Sequence, residues 1–484
     1  MKNKAFFCTV IGFLILLLTS CGTFPKNPDL AKYEPKVGYR YDNLESGDNN
    51  TNSLFVILAF SGGGTRAASL SYGVLQELGN TQIEWKGQTK RLLDEVDIIS
   101  SVSGGSFTSA YYTLNRDKIF DGTFEKKFLK ANIEKKLKSQ LFKPSNWFNL
   151  IGTSYGRSDL AADYWDNYLF NHATFQSLLD KGSRPFLMLN ATDMGTGGQF
   201  LFIQDQMDLI CSDLSELPIA RAVAASSAFP GLLTPLTLEN YAGTCSYEPS
   251  VWVSRRLKHR KKAPQKAETA ELRQSYYLKN EPGIQRDYIH LVDGGVADNI
   301  GLRSVLHAMN SPEPSYSIQR MINNEIIEKL VIIVVNAATY HDPKRDKKPK
   351  VPGVIDVLTT ASTIPLSNYT YDTIQLVKHR VDEFNEAVAL RAQCNQIMTA
   401  NNCPYSLKTT CINWIYIYPT SLLIPLRMMR PGIGLKICRL VSNCRVKRLT
   451  NLKTWVKFCY KIPKVSKRCW RKSVLNRRYC LKGE

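Results

Sequence analysis

The sequence predicts an α/β fold, and three observations carry that expectation. Two short apolar runs each feed a glycine-rich turn that opens a helical pattern, and a third apolar run ends in Asp-Gly-Gly. At 484 residues the chain is long enough for one large core or two domains. Its composition, 44% hydrophobic and 22% charged, is that of a folded body and excludes a disordered or collagen-like chain.

The elements are taken in chain order. Met1 to Lys4 supply two lysines, Ala5 to Leu18 form an apolar run, and Thr19-Ser20-Cys21 follow. This is the pattern of an export signal over residues 1–20, and it is too short for a comfortable transmembrane helix of ~20 residues. Leu18-Thr19-Ser20-Cys21 resembles the bacterial lipobox, in which the cysteine is lipidated and becomes the first mature residue. Gly22 after that cysteine, by resemblance to enterobacterial lipoproteins, favours the outer membrane. Residues 21–52, with Pro, Asn, Asp and Gly, read as a tether. Export makes Cys211–Cys245 and Cys394–Cys403 plausible disulfides, with four isolated buried thiols as the alternative. No Cys/His cluster has metal-ligand spacing, so no metal and no cofactor are expected.

Leu54 to Phe60 is a continuous apolar run ending in Ser61-Gly62-Gly63-Gly64-Thr65-Arg66, and a helical pattern runs from Ala67 to Leu78. A strand, a glycine turn and a helix together aim free backbone N–H groups at an anion. No Gly-Lys-Ser/Thr follows, so the turn is not a P-loop. The second unit runs from Val96 through Ser100-Ser101-Val102-Ser103-Gly104-Gly105 into a helical stretch past Tyr112. Its geometry resembles the nucleophile elbow, Gly-x-Ser-x-Gly, with Ser101 where the first glycine would stand. One turn would then supply a nucleophile, and the other donors for the oxyanion formed when it attacks an ester. The third unit, Ile289 to Asp293 followed by Gly294-Gly295, ends a strand in a carboxylate. That group can serve as a general base or as a turn cap.

These blocks, in this order, resemble the patatin-like phospholipases, and bacterial lipoprotein members especially. Ala222-Val223-Ala224-Ala225-Ser226-Ser227-Ala228-Phe229-Pro230-Gly231 resembles the segment that family carries between serine and aspartate. The resemblance runs from about Leu54 to Asn336. It implies a three-layer α/β/α fold with a central, mostly parallel sheet over residues 53–400, and a Ser–Asp dyad acyl hydrolase acting on phospholipid or other acyl-lipid esters. On that resemblance Ser103 is the nucleophile and Asp293 the base. Gly62, Gly63 and Gly64 form the oxyanion hole, and Arg66 steadies the loop or meets a headgroup. Ser101 and Ala67 depart from family glycines, and Ile300-Gly301 replaces the proline that usually follows Asn299. Two rivals stand beside this reading. One is a catalytically silent lipid-binding scaffold, and the other a Ser–His–Asp esterase using His307, His341 or His379.

The net charge of +21 invites a nucleic-acid reading, but residues 411–484 hold 18 Lys and Arg against one acid. The rest of the chain, with 45 basic and 41 acidic residues, is nearly balanced, and no nucleic acid is expected as a partner of an exported protein. Within the body, Arg255 to Lys262 and Lys266 form a basic insertion at about 252–275, read as a solvated, partly disordered loop or as a contact for anionic lipid. The tail carries six of the twelve cysteines and no acid before Glu484. It reads as translation of an unselected frame or as a cationic membrane-adhering extension. The expected location is the bacterial envelope, anchored to the membrane through Cys21.

Overall fold

Apolar runs without alternation suit strands covered on both faces, and they build the centre of this molecule. The computed structural model describes residues 24–143, 146, 154–262, 264–283, 285–311, 314–324, 326–338, 349, 351, 353–400 and 411–417. Strand β1 (Leu54–Phe60) is buried throughout, as expected from its run. Helix α1 (Gly64–Asn80) follows, starting inside the glycine turn rather than at Ala67. A hairpin of β2 (Gln82–Trp85) and β3 (Gln88–Arg91) leads to β4 (Val96–Val102) and α2 (Gly104–Asn115). Beyond these lie α3 (Arg157–Trp165), β5 (Phe186–Asp193), β6 (Gln199–Phe202), α4 (Ile219–Ser226) and β7 (Leu236–Glu239). The chain continues through α5 (Val251–Lys258), α6 (Pro264–Tyr277), β8 (Tyr288–Asp293) and α7 (Leu302–Asn310). It ends in β9 (Lys329–Val335), the long α8 (Val354–Ala400) and β10 (Cys411–Ile417).

The main sheet has the order β10-β9-β1-β4-β5-β8-β7, with β6 branching from β5. The first five strands are parallel, while β6, β8 and β7 join antiparallel. Helices flank this mostly parallel sheet, which is the α/β arrangement expected. The pairing around β5 positions everything that follows. Strand β6 occupies one edge of β5 along Leu189–Thr192. On the other edge β4 pairs as far as Val102 opposite Asn190, and β8 arrives from the opposite direction with Asp293 opposite Ala191. The carboxyl ends of β4 and β8 therefore meet end to end beside two consecutive residues of β5.

Three segments differ from expectation. Residues 24–52 are not a free tether, because Tyr39 and Tyr41 are buried in the core and Arg40 pairs with Asp208 at 2.6 Å. Asn27 bonds Ser212 and Glu239, Leu30 and Tyr33 donate backbone bonds to Cys211 and Cys245, and Phe24 packs edge-on against Tyr288 at 5.8 Å. The basic insertion is folded as α5 and α6. Tyr276 explains the anchorage of α6, being buried with its hydroxyl donating to Asp193 at 2.9 Å. Finally, residues 411–417 extend the sheet by pairing parallel with β9, so the sheet reaches past the boundary at 400. Cys211 and Cys245 form a disulfide, and Cys394 is buried. The export signal, Cys21, Cys403, His341 and residues 418–484 lie outside the described residues.

Candidate active site

Strand β4 delivers Ser103 at its end, where the chain turns into α2. Ser103 has φ 49° and ψ −119°, a conformation that a side chain adopts only under constraint. The constraint is visible. The Ser103 N–H donates to Ser226 Oγ at 2.9 Å, and the Ser226 hydroxyl donates to the Asn190 carbonyl at 2.7 Å. The two glycines after Ser103 allow a close backbone approach. A Cβ on Gly104 would lie 2.0 Å from the Gly64 carbonyl oxygen, and one on Gly105 would lie 2.8 Å from the Ser61 carbonyl oxygen. Any larger residue would push the two glycine turns apart.

The first turn, Gly62 to Gly64, lies over the serine, since a Cβ on Gly62 would sit 3.3 Å from Ser103 Cβ. Gly63 (φ 134°) and Gly64 (φ 62°) take conformations that favour glycine and face solvent. The three amides are not equivalent. The Gly62 N–H donates to the Asn299 carbonyl at 2.8 Å, so of the three expected oxyanion donors this one is already engaged. Gly63 and Gly64 open α1, where the helix leaves its first N–H groups without internal partners. Arg66 Nε donates to the Ala337 carbonyl at 3.0 Å, and partial burial lowers its pKa. The bond ties this guanidinium to the segment just after β9.

Asp293 ends β8 on the far side of the β5 junction. Its Oδ1 accepts the Gly295 N–H at 2.8 Å, and Ser103 is near enough to influence its protonation. Burial raises its pKa to about 6, while the Gly295 bond and Ser103 oppose that rise. Its backbone is held as firmly: the Asp293 N–H donates to Ala228 O at 3.0 Å and Gly294 N–H to Ser226 O at 3.1 Å. Thr192 Oγ1 donates to the Asp293 carbonyl at 2.9 Å. Asn299 links the base to the glycine turn, because its Oδ1 fills the space where a Cβ on Gly62 (2.5 Å) or Gly295 (2.9 Å) would be.

The family departures are accommodated. The Ser101 hydroxyl is buried and bonds Ser109 Oγ at 2.6 Å, and Ala67 is buried beside Gly63. Of the rival triad's histidines, the two within the described residues have other neighbours. His307 is depressed to about 4 by burial and packs edge-on to Trp252, and His379 faces Glu383 on α8 at 3.5 Å. Among the described residues no group of His, Cys, Asp and Glu could hold a metal ion. Ser226, Asn190 and Thr192 are the functional neighbours that sequence reasoning missed. Ser226 lay inside a recognised block, but nothing in its spacing assigns it a contact 123 residues away.

Residues 58–306, more than half of the chain, match the family described as patatin-like phospholipase. The chain belongs to that family. A patatin-like chain of this kind also shows distant likeness to solved structures. Human GIVD cytosolic phospholipase A2 is 14% identical with a TM-score of 0.32, over 58% of this chain and 40% of that one. VipD from Legionella pneumophila is 12% identical with a TM-score of 0.28, over 88% of this chain and 71% of that one. The chain thus spans well under half of the human phospholipase. No curated protein matches the sequence.

Proposed function

We propose that this patatin-like chain is a serine acyl hydrolase that cleaves phospholipid or other lipid acyl esters through Ser103 and Asp293. The observation that carries the reading is Ser103, held at positive φ under Gly62 of the glycine turn, with the buried Asp293 carboxylate whose pKa it lowers. In the first step Asp293 accepts the Ser103 hydroxyl proton as Oγ attacks the ester carbonyl. The negative charge that develops on the carbonyl oxygen faces the Gly63 and Gly64 N–H groups. Collapse expels the alcohol, which takes the proton from Asp293, and leaves acyl-Ser103. Water then gives a proton to Asp293 and attacks the acyl group. The fatty acid departs, and Ser103 recovers its proton.

Leu232 supports a lipid substrate, being 61% exposed four residues beyond Ala228, whose carbonyl holds Asp293. For location, we propose a bacterial envelope protein anchored through acylated Cys21, with outer-membrane sorting following from Gly22. The Cys211–Cys245 disulfide supports an oxidising compartment. The test is release of fatty acid from phospholipid and simple acyl esters by wild type and Ser103→Ala. Loss of hydrolysis in the variant is expected. Equal release by both proteins would leave a lipid-binding scaffold as the reading.

A further inference from the structure

We infer that Ser226 is a positioning residue that sets the separation between the nucleophile and the base. The inference rests on the Ser103–Asp293 reading. The two reacting side chains stand at the ends of strands that abut without a ladder between them, because β4 and β8 share one edge of β5 end to end. Something else must span that junction, and Ser226, the last residue of α4, bonds both sides. Its Oγ accepts the Ser103 N–H at 2.9 Å, and its carbonyl accepts the Gly294 N–H at 3.1 Å. The same hydroxyl donates to the Asn190 carbonyl at 2.7 Å, the residue of β5 opposite the end of β4. Ser106 Oγ, at 2.9 Å, completes its shell.

The chemistry requires a small hydroxyl at this point. Ser226 and Asn190 are fully buried, so the Ser103 N–H facing them needs an acceptor and the Asn190 carbonyl a donor within one side chain's reach. A hydroxyl does both, whereas alanine does neither. With the Ser103 N–H committed to Ser226, the strained elbow is fixed by a bond that does not change during the reaction. Release of that bond would let Ser103 relax towards an ordinary φ and carry Oγ away from Asp293. A displacement of about 1 Å in a reacting group costs on the order of 10²-fold in rate.

The experiment compares wild type, Ser226→Ala, Ser226→Thr and Ser106→Ala in the full chain. Active serine is titrated with an alkyl fluorophosphonate, so turnover is counted per reactive site. For Ser226→Ala the expected result is a kcat reduced on the order of 10²-fold at little-changed KM. The acid limb of its pH profile should also move to higher pH, because the Ser103 interaction that lowers the Asp293 pKa weakens. Ser226→Thr, which keeps the hydroxyl, should restore both. Ser106→Ala removes a neighbouring bond without touching Ser103 and should lower the unfolding midpoint but not turnover per site. If Ser226→Ala does not fold, Ser226→Cys, similar in size with a weak acceptor, should show the kcat loss at a wild-type unfolding midpoint. Folded Ser226→Ala, or Ser226→Cys in its place, with turnover within twofold of wild type and an unmoved acid limb would overturn the inference. A wild type that neither hydrolyses esters nor takes the label would remove the hydrolase reading and this role with it.

Discussion

As the proposed base, Asp293 carries two demands that pull in opposite directions, since a base must be ionised while burial favours its neutral form. An ordinary aspartate titrates near 3.9, and burial lifts this one to about 6. Because the folded state holds the proton more tightly than the unfolded chain, the stability contribution of Asp293 is complete below about pH 4. It is lost as pH rises through about 6. Asp293→Asn, which stays neutral, should therefore be inactive yet more stable than wild type at pH 7 by roughly 2–3 kcal/mol. The difference should shrink at pH 4, as urea unfolding at the two pH values would measure. In the wild type kcat/KM should fall about tenfold per pH unit below about 6. The placing of Ser103 and Asp293 at the ends of strands, each at a glycine turn, was legible in the sequence because each ends an apolar run. Their supports were not. Ser226, Asn190 and Thr192 act through contacts between distant segments, and neither period nor spacing encodes such contacts.

Among the elements, the two strand–turn–helix units touch through backbone at Gly104 and Gly64, so the Ser103 elbow and the first glycine turn are one joint. Gly104→Ala would bring a methyl group to 2.0 Å from the Gly64 carbonyl oxygen. The expected outcome is loss of fluorophosphonate labelling at Ser103 together with a lowered unfolding midpoint. Ordinary labelling of that variant would show that the turns can separate without harm. Strands β1, β4 and β8 were readable as apolar runs, and so was the glycine punctuation that ends them. The reversal at β8 was not, because a strand's own residues do not record the direction of its neighbour. The α5–α6 insertion was misjudged for a related reason. Its charges dominate the sequence, whereas a few buried residues, Ala270 and Tyr276 among them, hold it to the body.

For the whole molecule, the stretch that composition marked as a tether is a strap across the fold, with Tyr39, Tyr41 and Arg40 buried along it. Proline and glycine content suggested looseness, but long-range partners at Asp208, Cys211 and Cys245 override it. The strap is fixed to the body as far back as Phe24, against Tyr288 at the start of β8. If the acylated residue is Cys21, only three peptide steps, about 10 Å at full stretch, separate lipid from docked protein. Such an enzyme is moored rather than leashed. Its grazing range is the leaflet that holds it, and a lipid on a facing membrane is beyond its reach. Inserting twenty Gly/Ser residues between Gly22 and Thr23 should lengthen the mooring to a typical span of about 25 Å. With acylated enzyme in one vesicle population and labelled lipid in another, the lengthened form should gain hydrolysis of the second population over wild type. Equal rates for the two forms would show that the short mooring sets no such boundary.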